Sequence, residues 1–275
     1  MARKNIFDIL KENVNIQHQL DKIEELLENF CFDGYDSLED TVNEYCFHDW
    51  KWRGRCISCE DMRECLGITY QDIRKYGENQ NVVLNYLEYV ANLIWLCNTK
   101  ILDDEIENYD VEYQYLQENV EGLIEDLGYE AKVLNEEEMV LLIEKNPAAI
   151  AAAEIAQSEV SYKIVEYNHF RLKGDIETKR NILLVLADKF EPVRGELKKV
   201  DPTLESNIGY LLNKMNIRHN NKDGKNASEY VTNISDEELE EWYDETYQML
   251  LLSMLELDNI ERNKKVAELK RKIGR

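Results

Sequence analysis

The chain has 275 residues with only 3 Pro and 11 Gly and 44% hydrophobic side chains, a balance that favours long helices and suffices for one large core or two small ones. Its 33 Lys+Arg against 56 Asp+Glu leave a net charge of −23, which excludes a surface built throughout to bind phosphate. No apolar run reaches about 18 residues, so no membrane span is expected, and MARKNIFDILKEN lacks the apolar stretch and small-residue site of a signal peptide.

A cytoplasmic, reducing location is therefore expected, with the six cysteines as thiols and the sequons at Asn226 and Asn233 as chance matches. In chain order, residues 5–30 place Ile6, Phe7, Leu10, Val14, Leu20, Ile23, Leu27 and Phe30 at helical steps. Short segments follow, with Ser37, Ser58 and Thr69 as caps. Residues 79–102 predict an apolar helix central to the N-terminal core, and 110–127 another that stops at Gly128. The period then changes: YEAKVL (129–134) and MVLLIEK (139–145) predict a small β-hairpin around Asn135–Glu138.

Pro147 suits the first turn of a helix over 147–173. Asp175 caps a second over 176–199, kinked at Pro192, and Asp201-Pro202 opens a third over 202–217. Ser235 and Glu238 have capping-box spacing for a fourth over 236–272, expected to bury Leu239, Trp242, Tyr243, Met249, Leu250 and Leu257. The fold class is thus mainly α: a helical N-terminal region (1–128), a β-hairpin connector (129–146) and a four-helix up-and-down bundle (147–275).

Charge is unevenly spread. Residues 1–161 hold 13 Lys+Arg against 35 Asp+Glu, whereas 162–233 hold 13 against 10. An anion-binding patch belongs in the second segment, where LLNKMNIRHNNKDG sets Arg218 and His219 among amides at a helix end. Histidine exchanges protons near neutrality and arginine grips phosphate at two points. The same pair also answers a helix C-terminal dipole without any chemistry.

Two other clusters stand out. Cys56-Ile-Ser-Cys59 has the spacing of a zinc knuckle, with Cys46 and His48 as its other candidate ligands. No second tight pair accompanies it, and cysteine packs well as a small apolar residue, so packing is the preferred reading and no metal is assigned. The neighbouring WKWRG reads as an aromatic turn. The acidic runs 103–110 and 135–139 lack the glycine and alternating oxygens of a calcium loop. No phosphate loop, dinucleotide fingerprint or nucleophile elbow occurs, and no cofactor is expected.

The run VEYNHFRLKGDIETKRNILLVLADKFEPVRGEL, followed by LESNIGYLLNKMNIRHNN, resembles the bundles of bacterial abortive-infection proteins, often assigned to the HEPN superfamily. The resemblance covers 147–272. It implies a phage-defence effector that binds or cleaves RNA without metal, acting as a homodimer with a composite site where arginine and histidine promote attack of the ribose 2′-hydroxyl. On it, Arg218, His219 and Asn220 would be catalytic, while Asn213, Lys214 and Lys222 would hold substrate. The chain departs from the family pattern, in which several residues separate arginine from histidine. Adjacent helical residues point about 100° apart, and the slot five before His219 holds Lys214, which lacks the planar fork. The alternative is a non-catalytic acidic helical protein, an immunity factor, sensor or inhibitor, whose N-terminal half meets a basic protein partner.

Overall fold

Local signals at helix ends place most of the elements. The structure is a computed structural model, and it describes residues 15–30, 35, 37–76, 79–101, 111–218 and 234–274. Expectations for 5–14, for Cys31, for 103–110 and for the loop carrying His219, Asn220, Asn221 and Lys222 lie outside the described residues. The described residues are mainly helical, with one two-stranded hairpin and a long C-terminal helix. It divides into two compact units, Met1–Glu144 and Lys145–Arg275.

The first unit begins with α1 (Ile16–Glu28), whose Leu20, Ile23 and Leu27 face inward. Ser37 and Ser58 accept backbone N–H bonds at the starts of α2 (Leu38–Tyr45) and α3 (Cys59–Leu66). Helix α4 (Tyr70–Tyr76) leads to α5 (Gln80–Leu96), which is buried on most sides and ends in a π turn at Cys97–Ile101. Helix α6 (Val111–Asp126) packs on α1 and α5. It stops at Gly128, whose φ of 88° a side chain would resist.

Strands β1 (Tyr129–Leu134) and β2 (Met139–Glu144) pair antiparallel, Tyr129 opposite Glu144 and Leu134 opposite Met139. The hairpin expected at a connector is part of the first unit, because β2 packs on α5. Val140, Leu141, Leu142 and Ile143 are all buried, so both faces of β2 are covered. Its glutamate-rich turn holds Glu138 at a φ of 54°, with the carboxylate paired to Lys100 at 2.7 Å. The WKWRG segment forms a turn that buries Trp50 and docks Trp52, whose indole N–H donates to the Glu137 carbonyl at 2.6 Å.

The outer edge of β2 is closed by side chains of α5. Asn92 accepts from Val140 N–H at 2.9 Å and donates to the Val140 carbonyl at 2.8 Å, and Glu88 accepts from Leu142 N–H. Asn92→Ala strands two buried backbone groups and is expected to destabilise the first unit by about 2–4 kcal/mol, read from denaturant unfolding.

The second unit starts with α7 (Pro147–Ile155), Asn146 as cap and Pro147 in the first turn. The helix expected over 147–173 breaks at Ala156 and Gln157, both extended, before α8 (Ser158–Tyr167). The break lets α8 fold back, and the Asn146 amide donates to Asn168 at 3.1 Å to join the start of one helix to the end of the other. An alanine-rich run carries no stop signal, so the pattern could not show it. Asp175 caps α9 (Ile176–Phe190). Pro192 then lies in a 3-10 turn, Glu191–Val193, before α10 (Arg194–Val200).

Asp201 and Pro202 open α11 (Pro202–Lys214). Ser235 accepts from Glu238 N–H to start the 37-residue α12 (Asp236–Lys272), which packs against α7, α9 and α11. Tyr243, Tyr247, Leu250 and Leu251 fill its buried face. Trp242, expected in the core, is instead 39% exposed.

Candidate functional site

Helix α11 ends at Lys214, and Asn216 takes a left-handed φ of 53°. The chain therefore turns away before Arg218. The Arg218 N–H closes on the Leu212 carbonyl at 3.0 Å, and Arg180 donates to the Asn216 carbonyl at 2.5 Å. The Arg218 guanidinium donates to the Glu191 carboxylate and, at 3.1 Å, to the Ala187 carbonyl. Burial pushes the Glu191 carboxyl up, but the bond and charge of Arg218 outweigh it and hold the group below its ordinary value. The fork thus ties the end of α11 to the turn after α9.

Asn213 and Lys214 are half-buried in the last turn of α11. The groove nearby, about 500 Å³, is lined by Tyr210, Leu211, Met215, Trp242 and Met249, with Glu238 at its edge. Trp242 and the 58% exposed Tyr210 make it aromatic, and no lysine or arginine lines it among the described residues.

The described cysteines separate into two groups. Cys46, Cys59 and Cys97 are buried, and burial raises their thiols to about 11, 12 and 11. That agrees with packing. His48 is exposed on a 3-10 turn, its ring edge-on to Phe47. Cys56 is instead gathered with Asp61 and Cys65, and the donor atoms of these three lie within 4.8 Å of one another. Among the described residues this is the cluster with metal-ligand character, in place of Cys46, His48, Cys56 and Cys59. Cys56 and Cys59, the pair with knuckle spacing, straddle the N-cap of α3 at Ser58. Cys59 opens the helix and faces the core, whereas Cys56 precedes the cap. The overlooked signal was Asp61 and Cys65, one turn apart on α3.

An ionic cluster that sequence reasoning missed lies inside the first unit. Arg63 of α3 pairs with Glu24 of α1 and lies 3.6 Å from Glu39 of α2, with its side chain 13% exposed. Tyr89 donates to Glu39 at 2.7 Å, and the Tyr86 ring lies under the guanidinium, 5.6 Å from centroid to carbon. Burial raises the Glu39 carboxyl above its ordinary value against the pull of Arg63 and Tyr89. A polar cavity of about 390 Å³ opens over the cluster, lined by Ser37, Glu39, Asn43, Ser58, Arg63 and Thr69. Glu24 sits among Leu20, Ile23 and Leu27 on the inward face of α1, which was the readable clue. Three elements share one cation here, and the arrangement locks them together.

The outer side of the first unit has a different character. Helix α6 exposes Glu112, Glu118, Glu121, Glu125 and Asp126 and contains no lysine or arginine. Tyr115 is 51% exposed on the same helix, and α1 adds exposed Glu25 and Glu28. The unit as a whole has 12 Lys+Arg against 33 Asp+Glu, a net of −21, while residues 145–275 carry 21 against 23. Nearly all of the chain's excess charge therefore belongs to one unit. No helix among the described residues is long and apolar enough to cross a membrane. Neither a family model nor a curated protein nor a solved structure matches the chain.

Proposed function

We propose that this protein is a non-catalytic binding protein whose acidic first unit engages a basic protein partner, as an immunity factor, sensor or inhibitor does. The observation that carries the reading is the outward face of α6, which presents five carboxylates on a helix with no lysine or arginine of its own, in a unit of net −21. Such a surface steers a cationic partner and repels nucleic acid. Its exposed Tyr115 adds an aromatic anchor of the kind interfaces favour. The RNA-cleaving reading that the resemblance implies asks a guanidinium to meet a phosphate, and that of Arg218 is engaged by Glu191 and Ala187.

The test is a titration of full-length protein into a fluorescent lysine-rich peptide, followed by anisotropy. Binding is expected to weaken steeply as salt rises. The triple reversal Glu118→Lys, Glu121→Lys, Glu125→Lys is expected to weaken it more than about tenfold at low salt, while an exposed helix face keeps thermal stability close to wild type. Unchanged affinity in the triple variant would remove α6 from the interface.

A further inference from the structure

The geometry points to a soft-metal site, of the kind Zn²⁺ occupies, formed by Cys56 of the loop before α3 with Asp61 and Cys65 of the helix. Three donor atoms are already within 4.8 Å of one another. In a tetrahedral zinc centre with metal–sulfur bonds near 2.3 Å, the two sulfurs stand about 3.7 Å apart. Side-chain rotation of roughly an ångström closes that gap. Two thiolates and one carboxylate suit a borderline-soft dication, whereas calcium and magnesium take oxygen ligands.

The ligands are held by backbone contacts that leave their donor atoms in place. Asp61 uses Oδ2 to accept the Ile57 N–H at 2.9 Å, and its Oδ1 faces the Cys65 sulfur at 3.8 Å. Ser58 accepts the Asp61 N–H at 3.1 Å, which fixes the turn carrying the carboxylate. Arg53 grips the Cys56 carbonyl at 2.9 Å and the His48 carbonyl at 3.1 Å, pinning the loop before the helix. Outer contacts of this type orient metal ligands. Cys56 is buried and Cys65 is exposed, so the site has an inner wall and a way in.

Binding one dication expels the two thiol protons to the buffer, leaving two thiolates and a carboxylate on the metal and a fourth position for water or an outside donor.

Cobalt reports on this directly. Full-length protein kept reduced and titrated with Co²⁺ is expected to bind one ion per chain, with a thiolate-to-metal charge-transfer band and the intense visible bands of tetrahedral coordination. Zn²⁺ should bleach both at one equivalent. Cys65→Ser, at an exposed position that folding tolerates, is expected to abolish the charge-transfer band. Asp61→Asn should weaken Co²⁺ binding by roughly tenfold, and Cys97→Ser, away from the cluster, should leave the spectrum unchanged. Three results would overturn the assignment: no tetrahedral spectrum under reducing conditions, a spectrum untouched by Cys65→Ser, or loss of two hydrogens on air oxidation as the sole reaction of the pair.

Discussion

Arg63→Ala is expected to destabilise the first unit by about 3–5 kcal/mol, the range for removing one partner of a buried ion pair. The guanidinium is 13% exposed and Glu24 5%, so solvent screens neither. Removing it leaves Glu24 and Glu39 without the cation they share, with the Tyr89 hydroxyl still donating to Glu39. The loss reaches α1, α2 and α3 at once. A denaturant titration should show an early transition for this unit, with the second unit unfolding later. Replacing all three charges together, Glu24→Leu and Glu39→Gln with Arg63→Met, is expected to recover most of the deficit, because an apolar replacement avoids the desolvation that the ion pair carries.

The pH dependence of the same cluster has a definite sign. Glu39 has a raised carboxyl. Its contribution to stability is complete below the ordinary carboxylate value and is lost as pH rises through the raised one. Glu39→Gln should remove that component while Tyr89 keeps an acceptor.

Lys179→Ala is expected to be the largest single loss in the second unit, about 2–3 kcal/mol after allowance for the half-exposed Asp244. Lys179 of α9 is 6% exposed and holds Glu240 and Asp244 of α12, each at 2.7 Å. It also lies 5.3 Å from the centre of the Tyr167 ring, which stacks on Tyr247 at 4.0 Å. Tyr167 donates to Asp244, and Asn168 donates to the Tyr247 hydroxyl. The ammonium is therefore the hub joining α8, α9 and α12.

Here the pH sign is reversed. Burial works to raise the Glu240 carboxyl, yet the Gly174 N–H and Lys179 hold it below its ordinary value of 4.5. Its contribution is present above that value and disappears as pH falls through the depressed one. Lys179→Ala should flatten the acid limb of the second unit's unfolding curve.

Both hubs show what a sequence conceals. Helix ends were legible, because Ser37, Ser58, Asp175, Asp201 and Ser235 act within three residues of the N–H groups they cap. The hairpin was legible from its change of period. The break between α7 and α8 was not, since it depends on Asn146 meeting Asn168 across 22 positions. Arg63 and Lys179 were invisible for the same reason: the partners of Arg63, Glu24 and Glu39, lie 39 and 24 positions away, and those of Lys179, Glu240 and Asp244, lie 61 and 65 positions away. Charged residues within apolar helix faces were the one local trace. At the candidate sites, a helix cap sets Cys56 and Cys59 apart and Cys56 is gathered with Asp61 and Cys65, a grouping that cysteine spacing along the chain does not display.

The most direct measurement is a paired titration of full-length protein at rising salt, one arm with the lysine-rich peptide and the other with a labelled structured RNA. Salt-sensitive retention of the peptide is expected, with the RNA neither held nor cut. RNA fragments ending in 2′,3′-cyclic phosphate, formed with chelator present and lost in His219→Ala, would contradict a purely binding role and return the chemistry to the second unit.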